Sequence, residues 1–373
     1  MNICIFCGAR PNFIKVAPLI RKMNTEDATG SQDHYTLVYA GSEDDPTLEE
    51  TLFADLGIHR PHVCLGVECE NLNELTGQVM SRFEVYLQQH PTDAVVVVDD
   101  LASTMAAAIV TKKQGVLLAH IAAGTRSFDI TMPKEINRLV IDGLSDLLFT
   151  AGISNNSIAN REGAELSKVY MVGNILMDNI RYNHARIQEA GQKLAADAQL
   201  SSLIKDAYLV FTLNRKRLIH DRANLEKMLE AINDVAQAYH TPVVAPLRSM
   251  ARQVVSQIIA EKGLHGIHLV DPLGYLEFGY LTSHAQGIIT DSGNVAEEAT
   301  FNGVPCITLN SYTEHIETVK PGSNVLVGED PALLRQTLND LMSGQWKKSE
   351  IPERWDGRTA ERILSTIQSR LAD

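Results

Sequence analysis

Basic residues are too few in this chain for a general nucleic-acid binder. The 373 residues hold 33 Lys and Arg against 46 Asp and Glu, a formal charge of −13. Such binders need a basic face, so that class is set aside, and only a local basic pocket for a phosphorylated ligand stays compatible. No apolar run is long enough to span a membrane, and no basic leader precedes the first strand-like segment. The expected setting is therefore the reducing cytoplasm, with no membrane partner. Cysteine is scarce as well. Cys4, Cys7, Cys64, Cys69 and Cys306 are odd in number and lack paired metal-ligand spacing. Cys4 and Cys7 form a CxxC, but Cys4 falls inside the first strand, so both read as buried thiols and no metal site is expected. No short internal repeat is visible.

What is present is the composition of a globular chain, 45% hydrophobic and 21% charged, and long enough for two domains. Apolar runs at 2–7, 35–40, 93–98, 116–121 and 147–150 alternate with helical patterns at 12–23, 48–56, 72–89, 103–113 and 134–145. Pro18 predicts a kink or early break in the first helix. The valine run at 93–98 suits a parallel sheet covered on both faces. The alternation restarts with strands at 208–212, 243–245, 267–270, 287–290 and 306–309. The fold class is thus α/β: two Rossmann-like, doubly wound domains facing a cleft. The domains are expected at 1–178 and 203–354, with 179–202 as a helical connector and 355–373 crossing back to the first domain.

Ligands bind beyond the carboxyl ends of strands in such sheets, and the motif-bearing turns all follow strands. The most informative is Thr290-Asp291-Ser292-Gly293, running into a helix that carries Glu297 and Glu298. A glycine at a strand-to-helix turn admits a phosphate to free N–H groups and the favourable end of the helix dipole. A glutamate one turn further on suits ribose hydroxyls. The alternative is an ordinary helix start capped by Asp291 or Ser292. Arg10 and Lys15 flank the first helix start and, with the Ser292-Gly293 turn, would make a two-sided diphosphate clamp. Asp99 and Asp100 end a strand as acid/base candidates whose adjacency predicts mutual repulsion, or else as a helix cap. His120 reads as structural. The cations of Asn214-Arg215-Lys216-Arg217 face either an anion or solvent.

These motifs resemble one family, the non-hydrolysing UDP-N-acetylglucosamine 2-epimerases. Gly8-Ala9-Arg10-Pro11 with Lys15 is similar to the family's opening Gly-[Thr/Ala]-Arg-Pro-x-x-x-Lys. Residues 122–129 and 132–138 resemble "EAGLRSFD" and "MPEEINR"; residues 290–298 resemble "TDSGGIQEE"; residues 322–328 resemble "GTNVLVG". The segment 355–363 looks like the family's closing helix. The resemblance implies a GT-B-like fold with the last helix returning to the first domain, and a homodimer. It implies a UDP-sugar such as UDP-N-acetylglucosamine in the cleft and no cofactor. By matched position, Arg10, Ser292 and Gly293 would meet the diphosphate, Glu298 the ribose, and Phe278 the uracil. The implied reaction interconverts UDP-N-acetylglucosamine and UDP-N-acetylmannosamine by eliminating UDP and adding it back with C2 inverted.

The departures from the pattern lie in the proton-transfer set. Asp100 and Glu135 match family carboxylates. Ala122, Lys134 and Asn214 stand where the family has two glutamates and a histidine, Asp99 replaces the glycine before Asp100, and Arg248 and His315 are exchanged too. Gly41-Ser42-Glu43 replaces a "GQH" segment that in some members helps an allosteric UDP-sugar to bind. Two further readings follow: a UDP-sugar-binding homologue or partner subunit without turnover, and a glycosyltransferase on the same fold.

Overall fold

The computed structural model describes residues 1–163 and 168–372. It divides into two compact units, residues 1–182 with 353–373, and residues 183–352. The helix His184–Ala196, within the expected connector, packs on the helix Tyr275–Ser283 of the second unit.

The first unit is one parallel sheet of seven strands: β1 (Asn2–Cys7), β2 (His34–Tyr39), β3 (Val63–Cys64), β4 (Ala94–Val98), β5 (Leu117–Ile121), β6 (Leu147–Thr150) and β7 (Val169–Met171). Their spatial order is β3-β2-β1-β4-β5-β6-β7. Chain order reverses between β1 and β4, which opens a crevice at their carboxyl ends. All five residues of β4 are buried, as its valines predicted, because apolar clusters cover both faces. Cys4 and Cys7 are buried on opposite faces of β1.

The first helix, Arg10–Asp27, is not broken at Pro18. Proline there deprives the Ile14 carbonyl of its helical donor. The fully buried Asn179 supplies one instead, its Nδ2 lying 2.5 Å from Ile14 O. Its Oδ1 accepts from Arg21 at 3.0 Å. The closing helix Thr359–Ala372 packs on this first helix. Asp178 caps its start by accepting from the N–H groups of Thr359 and Ala360 at 3.1 and 2.8 Å, and the buried Trp355 donates to Ala151 O at 3.0 Å.

The second unit is a parallel sheet of six strands: β8 (Leu209–Phe211), β9 (Val243–Ala245), β10 (Ile267–Leu269), β11 (Gly287–Thr290), β12 (Cys306–Thr308) and β13 (Asn324–Leu326). The order β10-β9-β8-β11-β12-β13 again reverses beside the first strand, between β8 and β11. No described helix is long and apolar enough to cross a membrane.

Candidate functional site

In the first unit, the chemistry gathers at the β1/β4 switch point. The turn after β1 needs glycine at position 8, because a Cβ there would lie 2.0 Å from Ser103 Oγ. Gly8 N–H donates to Asn12 Oδ1 at 2.8 Å, which locks the turn onto the following helix. Arg10 opens that helix, partly buried, and its side chain forms no hydrogen bond or ion pair among the described residues. A guanidinium left unpaired at a helix start, where the dipole disfavours it, suits an anionic ligand. Lys15 is committed differently: its Nζ lies 2.6 Å from Asp99 Oδ1.

Asp99 takes the left-handed conformation, φ 61°, which turns its carboxylate toward Lys15 and away from its neighbour. Asp100 meets Arg138 through both Nε and Nη2, at 2.9 and 2.8 Å, with Lys134 Nζ at 3.8 Å. The adjacent carboxylates are thus held by separate cations, which offsets the repulsion expected from their adjacency. Asp100 is partly exposed beside the exposed Lys134.

Glu135 is buried and occupied. It accepts from Ser127 N and Oγ at 2.8 Å each, from Phe128 N at 3.1 Å, and from Arg138 Nη1 at 3.1 Å. Burial would raise its pKa, but these donors override that and hold it below the ordinary glutamate value. A carboxylate so satisfied orders the 127–128 turn and is poorly disposed to move protons.

Ala122 also sits at positive φ, 68°, and Gly124 at 72°. At Gly124 a Cβ would lie 2.2 Å from Asn155 O, so only glycine fits. His120 lies in a buried network with Asp142 and Arg126, consistent with a structural histidine.

The second unit repeats the plan at the β8/β11 switch point. Asp291 is not the helix cap that sequence allowed. Its Oδ2 instead accepts from the backbone N–H groups of Asn214 and Arg215 at 2.7 and 2.6 Å, tying the two switch-point loops together. Its Oδ1 is buried without a partner among the described residues, and burial raises its pKa. Ser292 is the N-cap of the helix Gly293–Asn302, with no side-chain capping bond. The first-turn N–H groups are thereby left open to a ligand. Gly293 is exposed at ordinary φ, and a Cβ would meet nothing closer than Glu297 Oε1 at 3.9 Å. Packing does not require glycine there; the close approach of a ligand would.

Glu297 is buried, with His315 Nε2 3.5 Å from its Oε1. Glu298 is partly exposed, yet the surrounding protein, followed by the charge of Glu297, pushes its pKa up to about 7. Phe278 is half-buried on the helix that follows β10. Of the cation cluster, Arg215 bonds to Asn310 Oδ1 and Leu309 O at 2.5 and 3.2 Å, while Asn214, Lys216 and Arg217 are exposed. Sequence reasoning missed the loop-tying role of Asp291 and the buried Asp142. The only signal for either was a carboxylate beside a strand end or within an amphipathic helix.

Residues Gly41 and Ser42 line a cavity of about 360 Å³ beside the β1 turn, with Gly8, Tyr39, Asp45 and Glu68. Its described lining holds three carboxylates and no cation, a poor match for a nucleoside diphosphate.

Two doubly wound parallel sheets, each with charged and polar groups beyond its switch-point strands, define an α/β protein of the GT-B-like fold. Comparison with known proteins narrows this. The family model described as UDP-N-acetylglucosamine 2-epimerase matches residues 28–368, so the chain belongs to that family. A UDP-N-acetylglucosamine 2-epimerase from Methanocaldococcus jannaschii is 31% identical over 373 residues, covering 98% of this chain and 99% of that protein. A UDP-2,3-diacetamido-2,3-dideoxy-D-glucuronate 2-epimerase from Pseudomonas aeruginosa is 34% identical, covering 88% of each. The M. jannaschii enzyme in complex with UDP-GlcNAc and UDP superimposes with a TM-score of 0.80 at 29% identity, over 98% of this chain and 99% of that one.

Proposed function

We propose that the protein binds a UDP-linked N-acetylhexosamine and interconverts UDP-N-acetylglucosamine and UDP-N-acetylmannosamine by elimination and re-addition of UDP. The observation that carries the binding is the uncapped Ser292-Gly293 turn, with Glu298 one turn along the same helix. The turn's N–H groups receive the diphosphate, Glu298 accepts from the ribose hydroxyls, and Phe278 lies against the uracil. Arg10 adds positive charge for the diphosphate, whereas the charge of Lys15 is offset by its ion pair with Asp99. The reaction needs a base at C2, an acid on the opposite face and stabilisation of departing UDP. Asp100 is the remaining carboxylate of the family's set with some exposure, and Arg138 keeps it oriented. The five free cysteines suit a reducing cytoplasm.

A second reading, UDP-sugar binding without turnover, is favoured by three residues at the expected proton-transfer positions. Ala122 has no proton to transfer, Asn214 is a poor base, and Lys134 stands beside Asp100. Loss of several groups acting together can bring a reaction close to the uncatalysed rate. Proton NMR of the protein with UDP-N-acetylglucosamine in D₂O separates the two. Deuterium at C2 together with UDP-N-acetylmannosamine establishes the epimerase. Saturable binding without exchange or UDP release establishes the binding protein, and absence of any UDP affinity overturns both.

A further inference from the structure

His120 sits at the end of β5 with both ring nitrogens against acceptors. Nδ1 is 2.6 Å from Asp142 Oδ1, and Nε2 is 2.8 Å from the backbone carbonyl of Asp99. A carbonyl can only accept, so Nε2 carries a proton. Asp142 also receives Gly124 N–H at 3.0 Å and the Arg126 guanidinium at 2.8 Å, and so is an ionised acceptor. Burial would raise its pKa, but His120 first, then Arg126 and Gly124, hold it below the ordinary aspartate value. Nδ1 must therefore donate as well. Charge balance agrees. Arg126 also pairs with Glu162, and the network His120–Asp142–Arg126–Glu162 is neutral only if the ring is cationic. A neutral ring would leave the four groups with one excess negative charge, Glu162 being their exposed member.

We propose that His120 is a positioning residue, a doubly protonated ring that fixes the two left-handed turns bearing Asp100 and Ala122. One arm grips the carbonyl of Asp99, itself at φ 61°, and so sets the direction in which Asp100 leaves β4. The other arm acts through Asp142, which holds Gly124 N–H and closes the turn that starts at Ala122. The charged groups that bear on the ring are Asp142 from the helix Pro133–Leu144, Arg126 beyond it, Glu162 at the far end, and the Asp99–Lys15 pair on the β4 side. With no lone pair to offer, the ring is not a general base. Its relevance to ligand rests on the UDP-sugar reading above.

The test uses the full chain labelled with ¹⁵N. Long-range proton–nitrogen spectra at neutral pH, with His120 assigned by its loss in His120→Gln, should show both ring nitrogens protonated. One bare nitrogen overturns the proposal, whatever ligand the protein binds. In Asp142→Asn the ring should fall to a single proton; a ring still doubly protonated there also counts against it. UDP-N-acetylglucosamine affinity should drop about tenfold in His120→Gln, the scale of a charged hydrogen bond. Affinity within about twofold of wild type would refute the positioning role. A wild-type chain that binds no UDP-sugar would instead defeat the functional reading and leave the ring result standing. Should His120→Gln fail to fold, the wild-type ring and Asp142→Asn still decide.

Discussion

Glu298 should make UDP-sugar binding depend on pH near neutrality. Its pKa in the ligand-free protein is pushed up to about 7, first by burial and then by Glu297. Accepting from two ribose hydroxyls at once, one on each carboxylate oxygen, requires the ionised form. The ionised fraction climbs from about a tenth at pH ~6 to about nine tenths at pH ~8, so affinity should rise about tenfold, or about 1.4 kcal/mol. UDP-N-acetylglucosamine is the right titrant, because its diphosphate is esterified at both ends and has no proton to lose in this range. Calorimetry in two buffers of different ionisation enthalpy would count the proton released on binding below neutrality. The same group acts on stability with the opposite sign. A raised folded-state value stabilises the fold fully below the unfolded glutamate pKa of about 4.3, and that contribution is lost as pH rises through about 7. It amounts to up to about 4 kcal/mol. Glu298→Gln should therefore flatten both profiles relative to wild type. Equal affinity at the two pH values with no proton released would refute the assignment of Glu298 to the ribose.

Three substitutions probe the rest. Arg10→Ala should weaken UDP-N-acetylglucosamine binding by about 1.5–3 kcal/mol in calorimetry while leaving the melting temperature nearly unchanged, because the side chain makes no internal bond; unchanged affinity would remove Arg10 from the diphosphate site. Glu135→Gln should cost about 2–4 kcal/mol in urea unfolding, since it loses acceptors facing Ser127, Phe128 and Arg138; a loss near zero would argue against its structural role. Ala122→Gly should raise stability in the same assay by about 1 kcal/mol by relieving a left-handed alanine; destabilisation would mean that the turn is not strained.

Much of the fold was legible because the central strands are long or continuously apolar. The run at 94–98 and the helix Leu72–Gln89 emerge as sequence periodicity predicts. The strands β3, β7 and β13 did not, and the reason is physical. Each has two or three residues, lies at a sheet edge and includes half-exposed positions, so no apolar run marks it. Pro18 misled because its remedy, Asn179, lies far along the chain. At the candidate site the residues proposed to face a ligand were readable as glycine, serine and arginine at strand ends. The residues that hold them, Asp291 and Asp142, were not, because a buried carboxylate bonded to backbone N–H groups has no local sequence signature.

That division bears on how this chain diverged within its family. The turn at Ala122 is held by Ala123 N–H on Phe149 O, by Thr125 Oγ on Ala122 O, and by Gly124 N–H on Asp142, at 3.0, 3.1 and 3.0 Å. None of these bonds uses the side chain of residue 122, so replacing a glutamate there leaves the turn in place, strain included. Position 214 is alike: Asp291 grips its backbone N–H, and its side chain is exposed. Lys134 lies on the exposed face of a helix that Glu135 and Arg138 anchor from the buried side. The scaffold of the site is thus fixed by residues other than those at the proton-transfer positions. Exchanging the proton-transfer residues is therefore separable from nucleotide binding, and affinity for UDP-sugars should persist whether or not C2 is inverted.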